Sequence, residues 1–286
     1  MELCLKNIPF NLNHTLNCGQ AFRWNLINEW WYGVVDKNII KIRQDGNRLT
    51  FFTFPKENNL ALIKKYFRFD DNLSKILRDI NKDYHISKAI HKFYGMRIIR
   101  QESWECLISY ICATNTNIPA IKNMIHNLSK SFGEEILRGF YAFPEPDVLS
   151  RVSINNLKRC GIGYRAKYIL EVAKSFKEFE KNSYENLREE LLKKPGVGPK
   201  VADCVCLFSL DKLEAFPVDI WITKSVLNNY SKYFDRSFIN QIAKKRYKSL
   251  TKREYNEINS FGRRYFGRYA GYAQEYLFYY ERITKT

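Results

Sequence analysis

The sequence has no Cys-x-x-Cys pair among its seven cysteines, and its four histidines do not gather near any of them. That spacing offers neither a zinc site nor an iron–sulfur cluster, so no metal and no cofactor are expected, and the cysteines read as reduced, mostly buried apolar groups. No apolar run approaches the roughly 18 residues needed to cross a bilayer, so a membrane-spanning helix is not expected. The first ten residues, MELCLKNIPF, carry no charged leader, apolar stretch and small-residue cleavage site, which predicts a protein retained inside the cell. A Gly/Ser linker and a long-period repeat are also missing. Acidic residues are short in the balance: 30 against 47 basic ones give a formal charge of +17 over 286 residues. An excess of that size points to a polyanionic partner, nucleic acid first, with solvated lysine-rich helix faces as the plainer alternative. The charge lies in aromatic-rich, folded-looking sequence such as AKKRYKSLTKREY and FGRRYFGRYAGY rather than in a basic tail.

What is present divides into two patterns. Gln20 to Phe54 reads as an antiparallel meander, because WWYGVV, NIIKIR and RLTFFTF are β-branched and aromatic runs separated by short polar breaks, with Asp45-Gly46 supplying a tight turn. After Lys56 the apolar spacing becomes helical. Trp104, Leu107, Ile108 and Ile111 define one buried helical stripe. Further helices are predicted over about 119–131, 134–139, 154–159, 164–178, 184–193, 199–209, 219–229, 236–247, 251–265 and 268–282. The fold class is therefore mainly α with an N-terminal α+β domain. The antiparallel sheet belongs to residues 1–97, and an all-α region follows over 98–286.

Two Gly-x-Gly turns enter helices, CGIGYRAKYI at Cys160 and PGVGPKVADC at Pro195. Glycine permits close backbone approach, and free N–H groups at a helix start can hold a phosphate. In the second turn Pro199 suits the first helical position, which puts Lys200 in the first turn, where a cation opposes the helix dipole. Such a lysine either grips DNA phosphate or serves as an amine nucleophile. An ordinary lysine, with a pKa of about 10.4, is neutral about once in 2,500 at pH 7, so the second role asks for burial or a positive helix end. Cys204, four residues on, shares a helix face with Lys200. Asp219, in EAFPVDIW, precedes an apolar helical run; it is either a helix cap or a carboxylate facing the lysine across a cleft.

With those residues in place, the sequence resembles the helix-hairpin-helix, Gly/Pro and Asp superfamily of base-excision DNA glycosylases, and within it the 8-oxoguanine DNA glycosylase/AP lyases. CGQAFRW, RQESWECLISYICATNTNI, GIGYRAKYI, PGVGPKVADC, PVDIW and YAGYAQEYLF carry the resemblance in that order along nearly the whole chain. It implies a helix-hairpin-helix at about 184–209 and an active site in the cleft between the sheet domain and the helical part. It implies that Lys200 attacks C1′ of the damaged nucleotide and that Asp219 stabilises the sugar cation. Gly19 would offer its carbonyl to N7–H of the flipped base, Gln274 would bind the Watson–Crick edge, and Phe278 and Cys204 would enclose the ring. Asn115 would enter the duplex, with Tyr164 and Arg165 beside it, while Gly196, Val197 and Gly198 would hold the DNA backbone. The implied partner is double-stranded DNA containing oxidised guanine, bound by a monomer.

The sequence departs from the family in two places that carry consequences. NTNIPA puts Ala120 where relatives have an arginine that reads the opposite cytosine, and Trp221 replaces a histidine two residues after the aspartate, so the phosphate contact that the resemblance would imply there does not carry over to this sequence. Thr116 replaces a middle asparagine. Two other readings stand beside the main one: a DNA-binding module without catalysis, and a related enzyme acting on an oxidised pyrimidine or a mismatched adenine.

Overall fold

The computed structural model describes residues 1–245 and 250–284. Five strands, β1 (Glu2–Cys4), β2 (Trp24–Ile27), β3 (Trp30–Val35), β4 (Asn38–Asp45) and β5 (Arg48–Phe54), form an antiparallel sheet in the order β1-β5-β4-β3-β2. The meander follows from alternation. Along β5 the side chains of Leu49, Phe51 and Thr53 are buried while Phe52 and Phe54 face out. Asp45 pairs with Arg48 across a two-residue turn at Gly46 and Asn47, where Gly46 has φ +53°. The other two hairpins turn at Asn28-Glu29 and Asp36-Lys37, whose φ values of 46°, 66°, 45° and 57° fit a primed turn without glycine. Helix α1 (Leu12–Asn17), capped by Asn11, crosses between β1 and β2.

The rest is helical: α2 (Leu60–Tyr66), α3 (Leu73–Ile80), α4 (Tyr84–Lys92), α5 (Ser103–Cys112) and α6 (Ile118–Phe132) come first. A small hairpin, β6 (Glu135–Leu137) and β7 (Phe140–Tyr141), follows. Then come α7 (Pro146–Ser150), α8 (Ile154–Leu157), α9 (Arg165–Ser175), α10 (Tyr184–Leu192), α11 (Pro199–Phe208), α12 (Ile220–Ser225), α13 (Arg236–Lys244), α14 (Lys252–Phe266) and α15 (Ala270–Thr284). The helix expected at 134–139 is this hairpin instead. Gly139 at φ +86° turns the chain, and the Glu135 side chain accepts its N–H. The helix expected over 236–247 is present to Lys244; residues 246 and 247 lie outside the described ones.

Two apolar cores meet. One, built on Trp24, Trp31, Ile40, Ile42 and Phe51, lies under the sheet and takes in Ile63, Phe67 and Ile99. The other takes in Cys18 and Phe22, runs from Leu73 to Tyr279 and contains the stripe Trp104, Leu107, Ile108 and Ile111. Buried polar groups join the parts. Arg97 bonds the carbonyls of Pro9, Arg68 and Asp71. Arg68 reaches Asp211, just beyond α11, at 2.5 Å, and Arg100 reaches the same Asp211 oxygen at 3.0 Å and Asp70 at 2.7 Å. Helix α15 packs on α3, α4, α12 and α14, so its inner face is fixed against the middle of the molecule.

Candidate active site

Helices α10 and α11 are joined by a hairpin over residues 193–198 that glycine makes possible. Gly196 has φ +76°, and a Cβ there would meet the Tyr168 side chain at 2.8 Å. Val197 fills the inside of the hairpin and donates its N–H to Lys194 O, whereas the Gly196 and Gly198 N–H groups donate to no carbonyl among the described residues. Pro199 is the first residue of α11, no side chain caps the helix, and its first turn holds no acid. The end is thus a bare positive terminus suited to an anion. Lys200 stands in that turn.

One turn further on, Asp203 is fully buried and fastens α11. Its Oδ1 accepts from Tyr184 at 2.6 Å and Arg188 at 2.8 Å, and its Oδ2 from Tyr255 at 2.5 Å and Asn259 at 3.0 Å. Those donors come from α10 and α14, so the carboxylate sets the rotation of the helix that presents Lys200 and Cys204. Burial raises the Asp203 pKa, with Arg188 the strongest opposing charge.

Asp219 takes up the capping role that its position allows. It is the N-cap of α12, and its side chain accepts from Trp221 N at 2.9 Å and Ile222 N at 2.8 Å. Both bonds go to Oδ1, so capping leaves Oδ2 for a second partner. Burial pushes this carboxyl up, and the Lys200 charge is the strongest influence pulling it back. Burial likewise keeps the Cys204 thiol protonated, again against Lys200. Lys200, Cys204 and Asp219 therefore form one electrostatic group.

The facing wall is α15, on which Gln274, Phe278 and Arg282 follow at spacings of four, with Glu275 three before Phe278 and seven before Arg282. Gln274 is 4% exposed, and its Oε1 has no hydrogen-bond partner among the described residues. Phe278 is partly exposed at the edge of the core. Opposite them lies the turn after α1, where Gly19 has φ +107°. Gln20 braces that turn: its amide bonds Thr15 O, Arg97 O and Ile99 N, while its carbonyl takes Gln101 and Tyr110. The Gly19 carbonyl is thus held by a rigid neighbour. Glu275 is 2% exposed, and burial pushes its carboxyl up to about 7, while the nearby Cys18 thiol, which donates to Thr15 O at 3.2 Å, opposes the shift. Asp219 raises it further and Arg282 opposes the shift, which ties this wall to the lysine group.

Asn115, Tyr164 and Arg165 gather separately. Asn115 is exposed at the tip between α5 and α6 with φ +51°, a conformation asparagine tolerates. Arg165 is buried and donates to the carbonyls of Thr114 and Ile162, so it clamps that tip to the start of α9. Tyr164 is exposed over the Arg165 guanidinium, 4.7 Å away, and touches Tyr168, the residue that packs on Gly196. The three thus share a surface with the hairpin and are not part of the Lys200 group. Ala120, in the first turn of α6, presents only a methyl group, and Trp221 carries Lys224 over its ring at 4.2 Å.

Asp203, Glu275 and Arg282 were not singled out by the sequence reading. An aspartate inside VADCVCLF was a visible signal, since a charge in an apolar helix asks for buried partners. Glu275 and Arg282 gave no comparable signal, because charged residues near a chain end read as solvent-facing. Among the described residues, no cluster of three or more His, Cys, Asp or Glu could hold a metal ion, and no helix is long and apolar enough to cross a membrane.

Comparison with known proteins places this arrangement. Residues 2–107 match the family described as 8-oxoguanine DNA glycosylase, N-terminal domain, and residues 108–232 match the HhH-GPD superfamily of base excision DNA repair proteins. The chain is 32% identical to the N-glycosylase/DNA lyase of Saccharomyces cerevisiae, over 97% of this chain and 83% of that one. It is 31% identical to N-glycosylase/DNA lyase OGG1 of Arabidopsis thaliana, over 96% and 80%. The solved 8-oxoguanine glycosylase/lyase of Clostridium acetobutylicum, bound to DNA with cytosine opposite 8-oxoG, superposes with a TM-score of 0.84 at 30% identity, over 97% of this chain and 93% of that one.

Proposed function

The chain belongs to the 8-oxoguanine DNA glycosylase family of the HhH-GPD superfamily, and from that premise we propose that it is an N-glycosylase/DNA lyase that removes 8-oxoguanine from duplex DNA and cuts the strand beside it. The observation that supports this reading is that Lys200, in the bare first turn of α11, acts on the charges of both Cys204 and Asp219, and Asp219 in turn on Glu275 of α15.

Hairpin N–H groups and the bare end of α11 hold the DNA backbone, and Asn115 and Tyr164 take the place of the nucleotide that leaves the stack. The extruded base lies on Phe278, with Cys204 on its other side. Its Watson–Crick edge supplies donors to the orphaned Gln274 oxygen. The Gly19 carbonyl accepts from N7–H of the oxidised base and meets the bare N7 lone pair of guanine, so it rewards one and repels the other.

Lys200, once it has lost a proton, attacks C1′ through Nζ. The C1′–N9 bond breaks, and the base departs with the electron pair and takes up a proton. Asp219 stabilises the positive charge that develops on the sugar and accepts or orients the ammonium proton. Ring opening gives a Schiff base between Nζ and C1′. Loss of a C2′ proton then expels the 3′ phosphate by β-elimination, and water releases Lys200.

A single-turnover assay tests this. On a duplex with one 8-oxoguanine, the native protein is expected to release the base and nick the strand, and Lys200→Gln to do neither while keeping its affinity for the duplex. Undiminished excision by Lys200→Gln would remove the lysine from its role.

A further inference from the structure

We propose that Arg282 is a specificity-determining residue that reads the C8 carbonyl of the oxidised purine, alongside the Gly19 carbonyl that reads N7–H. The inference rests on the base orientation proposed above and adds a contact to it.

Three observations place the guanidinium. Its Nη1 is 2.5 Å from where a Cβ of Gly19 would stand. Its Nη2 donates to the Asn17 carbonyl at 2.6 Å, which ties the group to the turn that carries Gly19. Its central carbon lies 5.1 Å from the Phe278 ring centre and 5.2 Å from that of Tyr279. The guanidinium therefore sits at cation–π distance from both rings. The guanidinium also acts on the buried Glu275 carboxyl of the same helix, opposing its raised pKa, which suits an arginine held in place rather than one extended into solvent.

The chemistry of the lesion fits this pair. Oxidation at C8 puts an N–H donor at N7 directly beside a C=O acceptor at C8. Gly19 and Arg282 offer the complement, a carbonyl acceptor beside a charged N–H donor. Guanine in the same register presents an N7 lone pair to the carbonyl and a C8–H to the guanidinium, two mismatches instead of two bonds. Guanine could bring its N7 to Arg282 only by sliding, and sliding would take its Watson–Crick edge away from Gln274. The arginine therefore adds discrimination because Gln274 fixes the register. A glycine is needed at position 19 on this account, since any side chain there would displace the reader.

The test uses the full chain in a Lys200→Gln background, which binds DNA without cutting it, and three duplexes that differ at one position: 8-oxoguanine, guanine, or a tetrahydrofuran abasic analogue. Arg282→Met is expected to weaken binding of the 8-oxoguanine duplex by about tenfold or more, the loss of one charged hydrogen bond. Its affinities for the guanine and abasic duplexes should stay within about threefold of the parent's, which also reports that the variant is folded. Arg282→Lys, which keeps a donor, should recover part of the loss. Equal weakening on the abasic duplex would make Arg282 a phosphate contact, tighter 8-oxoguanine binding would make it a plug that the base displaces, and no change would leave it idle; each overturns the proposal. A Lys200→Gln parent with no preference for 8-oxoguanine over guanine would instead overturn the functional reading beneath it.

Discussion

Glu275 is the residue whose chemistry most repays measurement. Its carboxyl is pushed up to about 7 chiefly by burial, with Asp219 adding to the shift and the Cys18 thiol and Arg282 opposing it. A raised acid binds its proton more tightly in the folded state. Its contribution to stability is therefore complete below about pH 4.5, is lost as pH rises, and is gone above about pH 7. Glu275→Gln has no proton to lose, so it should gain on the parent by up to about 3 kcal/mol between pH 4.5 and pH 8. Urea unfolding at both pH values measures this; a difference that does not change with pH would contradict it. A second residue-scale prediction concerns Ala120. Its methyl group cannot read the opposite base, and one lost guanidinium contact is worth about 1–3 kcal/mol. Excision opposite all four bases should agree within about tenfold, and a preference for cytosine of several thousandfold would count against it. Lys200 and Asp219 were legible in the sequence because each is locally odd or locally capped. Arg282 was not, because its partner Asn17 is 265 positions away.

At the scale of elements, the hairpin between α10 and α11 carries the most weight. Gly196 has a left-handed φ of +76° and no room for a Cβ against Tyr168. Gly196→Ala should cost roughly 2–4 kcal/mol, combining the left-handed penalty with the displaced ring, and should weaken abasic-duplex binding by about tenfold or more, because the hairpin N–H groups move. Urea unfolding and duplex titration read both effects; a change under about 0.5 kcal/mol with intact binding would show the contact to be soft. The strands β3, β4 and β5 and most helices were legible because their apolar periods are long and consistent. The hairpin at Glu135–Tyr141 was not, because its sequence EEILRG is made of good helix formers and only the glycines at 133 and 139 speak against a helix. The short strand β1 was missed because pairing with β5, not its own sequence, makes it a strand, while β2 fell inside the expected meander without being singled out.

For the molecule as a whole, the site exists because two cores are fixed to each other. Gln20 and Arg97 hold the Gly19 turn, Asp211 ties the end of α11 to Arg68 and Arg100, and Asp203 ties its middle to α10 and α14. These long-range bonds are what sequence periodicity cannot convey, since each joins side chains that are distant along the chain. The order of motifs conveyed the fold class and the position of the lysine; the buried polar braces came only with the packing. The most direct measurement is borohydride trapping on a duplex with a single 8-oxoguanine, followed by mass mapping of the adduct. The account predicts a covalent protein–DNA species carried on the peptide that contains Lys200 and lost in Lys200→Gln. An adduct mapped to another residue, or one that survives that substitution, would contradict it.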